Sequence, residues 1–223
     1  MKLYFKLCSF IFLFFFIFLF PLHSYANENN FRILISGFGP FAQHNTNPTE
    51  ELIKYMNKNS ETNNIIKSII LPGEYNRSWK VLKKEIAEFA PDIVIVLGYL
   101  PESNAIVVET TARNFDRGFI DNTGRTRYGQ IVPYGKETIP NEFPAKKIIE
   151  ALSDNNVPAI LSSDAGSYLC NNIFYRVMHY TRSDPEIKAG FFHVPSWDVK
   201  ELWYSLRIII RVIEQNVMKF SSE

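Results

Sequence analysis

Cysteine, histidine and net charge are all scarce in this chain. Its 223 residues include 2 Cys and 4 His, and 24 Lys plus Arg stand against 23 Asp plus Glu, a formal net charge of +1. The few Cys and His residues have no spacing typical of a metal site, so no metal is predicted. The near-zero charge, with both signs interspersed, leaves no basic face to neutralise phosphates and argues against a nucleic-acid partner. A hydrophobic fraction of 46% excludes a disordered chain and indicates an ordinary globular domain.

Phenylalanine is concentrated at the start, where 8 of the 19 Phe fall within residues 1–26. Lys2 and Lys6 flank the start of a mostly apolar run, and Ser24 and Ala26 put small residues at the −3 and −1 positions of a cleavage site. These features predict a signal peptide cleaved after Ala26, with an uncleaved anchor as the alternative. Because the run is shorter than the ~20 residues that span a bilayer comfortably, we expect an exported protein, periplasmic or secreted, without stable membrane association after cleavage.

Residues 27–223 alternate between short β-branched or aromatic runs and longer amphipathic stretches, which predicts a single α/β domain. Strands are predicted at Arg32–Ser36, Ile65–Leu71, Asp92–Leu97, Ala105–Thr111, Pro158–Ser162 and Ala189–Val194. Helices are predicted at Pro48–Asn57, Tyr75–Phe89, Pro144–Ser153, Ser167–Thr181 and Asp198–Phe220. Continuously apolar strands are buried on both faces, so we expect a three-layer α/β/α sandwich with a mostly parallel central sheet.

In the stretch Asn114–Asn141 the apolar residues follow neither a helix period nor a strand period, and the stretch is rich in Gly and Pro. It is predicted to be a long surface excursion, and loops of this length often line or cover a site.

A glycine turn follows the first predicted strand. Gly37, Gly39 and Ala42 fit the letters of a dinucleotide-binding loop. The next helix begins too late to receive a pyrophosphate on its N-terminus, so neither a nucleotide nor any other cofactor is predicted. The turn also carries Phe38 and Phe41 beyond the end of a strand, where α/β sheets place ligands. The alternative is that both rings simply fill the core.

Cys170 is the only cysteine after the predicted leader, so no intramolecular disulfide is expected. It falls in the first turn of a predicted helix, where the positive end of the helix dipole and free N–H groups favour a thiolate and could stabilise an oxyanion. A cysteine nucleophile also needs a base. The alternative is a small, buried hydrophobic residue.

His193 is the best-placed base, because it lies at the carboxyl end of a predicted buried strand. The alternative is a satisfied core histidine. His179 lies nine residues after Cys170 on the same helix and therefore points the opposite way, while His44 lies in the glycine turn and cannot be excluded by spacing. An acid that orients the imidazole should lie near the same edge of the sheet. Glu109 ends another apolar strand, where a carboxylate needs a partner, and it is the best-placed acid.

The chain resembles pyroglutamyl peptidase type I, the pyrrolidone-carboxylate peptidases of the C15 cysteine peptidase family, over roughly Phe31 to Asp198. Four segments carry the resemblance: Ser36-Gly37-Phe38-Gly39-Pro40-Phe41 with Asn47-Pro48-Thr49, Asp121-Asn122-Thr123-Gly124, Ala165-Gly166-Ser167-Tyr168-Leu169-Cys170-Asn171, and Phe192-His193-Val194-Pro195. The third segment is the most specific.

This resemblance implies a cysteine exopeptidase, a hydrolase that removes N-terminal pyroglutamate from peptides through a thioester intermediate. It implies a catalytic triad of Glu109, Cys170 and His193, the same three residues that the sequence pattern selects. It also implies that Phe38 and Phe41 enclose the pyrrolidone ring. The expected partners are peptides with N-terminal pyroglutamate, and the sequence leaves a homo-oligomer open.

One block departs from the family. The family writes G-Q-A-G-G-R ahead of its glutamate, whereas this chain has Gly98-Tyr99-Leu100-Pro101-Glu102-Ser103. Tyr99 takes the glutamine position, and we expect Tyr99 and Leu169 to join Phe38 and Phe41 in binding substrate. Two alternatives follow from the departure: a peptidase with a different acyl or lactam specificity, and a binding protein that has lost turnover.

Overall fold

The computed structural model describes residues 30–41, 44–59 and 64–220, with side chains described to residue 217. The predicted signal peptide lies outside the described residues, as does Ala42. In chain order the elements are β1 Arg32–Phe38, α1 Pro48–Asn59, β2 Ile65–Leu71, α2 Tyr75–Phe89, β3 Ile93–Tyr99, β4 Ile106–Glu109, β5 Thr111–Arg113, β6 Asp116–Ile120, β7 Thr126–Gly129, β8 Thr138–Pro140, α3 Ala145–Asp154, β9 Ala159–Ser162, α4 Leu169–Thr181, β10 Lys188–Val194 and α5 Val199–Phe220.

Six strands form the central sheet in the order β2-β1-β3-β10-β4-β9. The first four run parallel to one another, whereas β4 runs antiparallel to β10 and pairs in parallel with β9. Strand β10 therefore has two different neighbours: His193 pairs with Gly98 of β3 on one side and with Val107 of β4 on the other. The sheet is mostly parallel, as predicted, but its direction changes at β4.

Helices cover both faces of this sheet. One apolar cluster packs under α1, α3 and α5, and the other packs under α2 and α4. Every residue from Ile93 to Gly98 of β3 is buried, which is the behaviour expected of a strand covered on both faces. The predicted three-layer α/β/α arrangement is confirmed.

Local sequence signals set several helix ends. The side-chain Oδ1 of Asn47 accepts the Thr49 N–H at 3.0 Å and so caps α1, whose first residue is Pro48. Helix α2 ends at Phe89, where Ala90 turns into the left-handed region at φ 45° and Pro91 follows. The predicted start of α4 at Ser167 is two residues early, because the chain is still extended at Tyr168, the N-cap residue.

The stretch Asn114–Asn141, predicted as a long loop, contains three short strands, β6, β7 and β8, so that prediction is wrong. Strand β5 pairs with β8, and β6 pairs with β7, in two small antiparallel ladders. The strand predicted over Ala105–Thr111 is likewise split between β4 and β5. Strands of three to five residues are too short to display a period in the sequence, and the partner of β5 lies far along the chain.

Candidate active site

Cys170 is the second residue of α4 and is buried, with 8% of its surface exposed. The helix N-cap, Tyr168, makes no side-chain capping bond, and the first intrahelical bond runs from the Asn172 N–H to the Tyr168 carbonyl at 2.9 Å. The first N–H groups of a helix have no partner within it. The N–H groups of Leu169 and Cys170 therefore lie beside the thiol at the positive end of the helix dipole, where they can receive a negative charge.

A glycine brings this thiol close to His193. A Cβ built on Gly98 would lie 2.9 Å from Cys170 Sγ, 2.9 Å from His193 Cδ2 and 2.6 Å from the ring of Phe191. Three side chains thus converge on the space that any larger residue at position 98 would fill. Gly98 and His193 are paired neighbours in the sheet, so the contact is built into the register of β3 and β10.

The imidazole of His193 is also held from the opposite side. Its Nδ1 lies 2.8 Å from Glu109 Oε1, and both residues are buried, with 4% and 1% of their surfaces exposed. Glu109 Oε2 has no hydrogen-bonding partner among the described residues. Because Nδ1 faces the carboxylate, Nε2 is the ring nitrogen left to exchange a proton with the thiol.

Glu109 does contact His193, but the expected reason, that both residues lie at the same edge of the sheet, is wrong. Because β4 is antiparallel to β10, Glu109 ends its strand toward the amino-terminal edge of the parallel strands, away from the edge where β10 ends. Its carboxylate reaches the imidazole because Val107 pairs with His193 and Glu109 follows two residues later on the same face of the sheet.

Burial lowers the pKa of His193, but four effects outweigh it. A negative charge on Cys170, hydrogen bonds to Cys170 and Glu109, and the negative charge of Glu109 raise the pKa of His193 from its usual 6.5 to about 9. At neutral pH the imidazole is therefore protonated whenever the sulfur is a thiolate. The arrangement can hold a thiolate–imidazolium pair, the reactive form of a cysteine nucleophile.

Phe38 and Phe41 belong to the same buried apolar cluster as Cys170. Both are buried, and their ring centroids are 6.2 Å apart in an edge-to-face arrangement. Thr49 Oγ1 accepts the Phe38 N–H at 2.8 Å, which ties the end of β1 to the start of α1. Leu169, next to Cys170, is 1% exposed and packs in the same apolar cluster as both rings.

Tyr99 stands on another side of the centre, immediately after Gly98. Its hydroxyl lies 2.7 Å from Ser196 Oγ, and its ring meets the imidazole of His44 edge-on at 5.3 Å between centroids. His44 in turn contacts the ring of Phe41 at 5.8 Å. Thus His44 packs among the aromatic rings, whereas His193 contacts the thiol.

The first turn of α4 is anchored to β5 and to the excursion by two buried amides. Asn171 binds the backbone of Arg113 at both its N–H and its carbonyl, 2.9 Å each. Asn172 donates to Asp116 Oδ2 at 2.7 Å, and the same oxygen accepts from Arg127 Nε at 3.1 Å. The excursion therefore fixes the position of the helix start that carries Cys170.

Sequence reasoning assigned no role to Gly98, Tyr168 or Ser196. Gly98 carried a usable signal, since a glycine ending a buried strand often marks a close approach of other atoms. Tyr168 and Ser196 carried no signal, because their contacts depend on how distant loops meet.

Among the residues that the structure describes, no group of three or more His, Cys, Asp and Glu side chains is placed to hold a metal ion. Within the same residues, no helix combines the length and apolar character needed to cross a membrane.

Comparisons with known proteins point to one family. A family model described as pyroglutamyl peptidase matches residues 31–200. The pyrrolidone-carboxylate peptidase of Thermococcus litoralis is 36% identical over 170 residues, 74% of this chain and 76% of that protein. The structure of pyrrolidone carboxyl peptidase from T. litoralis aligns with a TM-score of 0.80 and 28% identity, covering 85% of this chain and 96% of the other. Pyroglutamyl peptidase I from Bacillus amyloliquefaciens aligns with a TM-score of 0.77 and 28% identity, over 82% and 96%.

Proposed function

The chain belongs to the pyroglutamyl peptidase family of cysteine peptidases and is an enzyme of that type, and from this premise we propose that it removes N-terminal pyroglutamate from peptides with Cys170, His193 and Glu109 as its catalytic triad. The observation that carries the proposal is the convergence of the Cys170 sulfur and the His193 ring on Gly98, with Glu109 bound to the far side of the same ring.

In the first half of the reaction, the Cys170 thiolate attacks the carbonyl carbon of the pyroglutamyl residue. The carbonyl oxygen becomes an oxyanion, which the N–H groups at the start of α4 stabilise. As the C–N bond breaks, His193 Nε2 gives its proton to the leaving amine, and the acyl group remains on sulfur as a thioester.

In the second half, water attacks the thioester and His193 takes the proton that the water loses. The C–S bond then breaks, free pyroglutamate leaves, and the thiolate and the imidazolium are restored together. Glu109 holds the ring in one orientation through Nδ1 and stabilises its positive charge, as the acid of a triad does.

The acyl pocket follows from the aromatic residues beside the thiol. A pyrrolidone ring is flat and largely apolar on its faces, and Phe38 and Phe41 offer two buried rings in an edge-to-face arrangement. Leu169 adds an apolar side chain next to Cys170. The ring would enter this site without a charge to desolvate, which favours a lactam over a free N-terminal ammonium.

Hydrolysis of a fluorogenic pyroglutamyl amide by the purified protein tests the proposal, with the matching alanyl amide as the control for specificity. We expect release from the pyroglutamyl amide, none from the alanyl amide, and loss of release in Cys170→Ser. Release that persists in Cys170→Ser, or a folded and reduced protein that releases nothing, would contradict it.

A second candidate function keeps the same chemistry but takes a different N-terminal acyl or lactam group. Tyr99 favours it, because its half-buried ring stands beside the reactive centre with its hydroxyl bound to Ser196. A panel of N-terminally blocked peptide amides, including formyl, acetyl and six-membered lactam groups, separates the two candidates. Pyroglutamate as the best substrate supports the first, whereas a better rival acyl group supports the second.

We also propose that the protein is exported, with cleavage after Ala26, on the strength of the basic and apolar leader. Mass spectrometry of the protein recovered from the producing cells checks this, and a mature chain that begins at Asn27 is the expected result. Recovery of the full chain in the membrane fraction would instead indicate an uncleaved anchor.

A further inference from the structure

Tyr168 links the proposed acyl pocket to the surface of the molecule. It precedes Cys170 by two residues, and its ring lies 6.1 Å from that of Phe41 on the pocket side. The ring of Tyr168 also lies 5.6 Å from that of Phe119 of β6 and 5.7 Å from that of Tyr75, between centroids. A continuous path of aromatic rings therefore runs from the buried pocket past the thiol to the excursion.

The end of β6 is apolar and open to solvent. Phe119 is 53% exposed and Ile120 is 64% exposed. The Tyr168 hydroxyl donates to the Ile120 carbonyl at 2.7 Å, so this segment is held against the start of α4. Apolar groups exposed together at one place commonly mark a binding surface.

A peptide substrate whose pyroglutamyl ring is in the pocket must extend out of the pocket along one side, past either Tyr99 or Tyr168. On the side of Tyr99, the phenol hydroxyl is bound to Ser196 and the ring is packed against His44, so the exposed groups there are largely polar. On the side of Tyr168, the exposed groups are the apolar Phe119 and Ile120. A bulky apolar side chain gains more by covering the second surface.

We propose that Tyr168 and Phe119 form the subsite for the residue that follows pyroglutamate, and that this subsite selects substrates with a large apolar side chain at that position. The inference rests on the proposed function and adds the identity of the second residue. Tyr168 supplies the inner wall beside the thiol, and Phe119 supplies the outer, exposed wall.

The test compares kcat/KM for pyroglutamyl-phenylalanyl-glycine and pyroglutamyl-glycyl-glycine. Cleavage is measured by chromatography of the released pyroglutamate. We expect a preference of about tenfold for the phenylalanyl peptide, the size of an aromatic contact in a partly open site. In Phe119→Ser the preference should fall to about twofold, and Phe119→Leu should restore most of it. Tyr204→Ser is the matched control, since Tyr204 is 49% exposed on α5, and it should leave the preference unchanged.

Equal kcat/KM values for the two peptides in the unmodified enzyme would overturn the subsite and leave the proposed function standing. An unchanged preference in Phe119→Ser would also overturn the subsite. If that variant then elutes from size-exclusion chromatography as a smaller particle than the unmodified enzyme, the surface is a contact between copies of the chain. Failure of the folded, reduced enzyme to cleave either peptide would overturn the proposed function and the subsite with it.

Discussion

Replacing Glu109 with glutamine removes the negative charge beside His193 while keeping an oxygen that can accept the Nδ1 proton. The carboxylate lies 2.8 Å from Nδ1 and both residues are buried, so solvent screens the interaction little. In the native protein the charge of Glu109 is one of the causes that raise the pKa of His193 to about 9. Glu109→Gln should therefore lower the pKa of His193 without removing the triad geometry.

The size of the change follows from two general magnitudes. A hydrogen bond to a charged group is worth about 1.5–3 kcal/mol, and one pKa unit corresponds to about 1.4 kcal/mol. The pKa of His193 should then fall by about one to two units. The fall is limited because the charge of Cys170, the largest of the effects that raise this pKa, is still present in the variant.

The direction of the activity change depends on which protonation state of His193 is active in the reaction. The imidazolium protonates the leaving amine, so kcat/KM should decline as the pH rises through the pKa of His193. We expect this decline near pH 9 in the native enzyme and between about pH 7 and 8 in Glu109→Gln. Activity at pH 6 should differ much less between the two proteins than activity at pH 8.5.

The assay is a profile of kcat/KM for a pyroglutamyl amide between pH 5 and 10. Glu102→Gln is the matched control, because Glu102 is exposed in the turn before β4 and should not shift the profile. A decline that stays near pH 9 in Glu109→Gln, with the variant folded, would refute the assignment of Glu109 as the group that stabilises the imidazolium.

Other substitutions test neighbouring parts of the site. Gly98→Ala puts a methyl group within 3.0 Å of three side chains, including Cys170 and His193, and should lower kcat/KM by ~100-fold or more. Cys170→Ser removes the largest effect that raises the pKa of His193, so the stability lost between about pH 6.5 and 9 in the native protein should shrink when thermal midpoints are compared. Asp116→Ala leaves the half-buried guanidinium of Arg127 and the buried amide of Asn172 without their shared carboxylate and should cost about 2 kcal/mol of unfolding free energy in urea.

Each of these has an outcome that contradicts it. Full activity in Gly98→Ala would mean that the thiol and the imidazole do not depend on close approach at position 98. A Cys170→Ser midpoint that falls as steeply with pH as the native one would place the titration elsewhere. An Asp116→Ala variant as stable as the native protein would mean that the excursion is not held to α4 through this carboxylate.

Much of the fold could be predicted because its signals are local. Continuous apolar runs such as Ile93–Leu97 identify buried strands, and the Asn47-Pro48 pair marks where α1 begins. The residue types also limit the candidate chemistry, because the chain beyond the predicted leader has a single cysteine and few histidines. Cys170 could therefore be placed at a helix start, and His193 near the end of a strand, from sequence alone.

Other features depend on contacts between distant segments. The ladder between β5 and β8 pairs Ala112 with Ile139, and strands this short leave no period to detect. The same is true of Tyr168 and Ser196, whose importance lies in what other loops bring to them.

By itself, the sequence determined the layers of the fold, the two aromatic rings of the glycine turn and the three residue types of the candidate triad. It could do so because burial, periodicity and capping depend on residues that are close together along the chain. Only the tertiary structure decided that β4 runs against β10, and hence that Glu109 reaches His193 along one face of the sheet rather than from a shared edge. Strand direction is set by how the connecting segments cross and pack over the whole sheet, and no local pattern in the sequence encodes it.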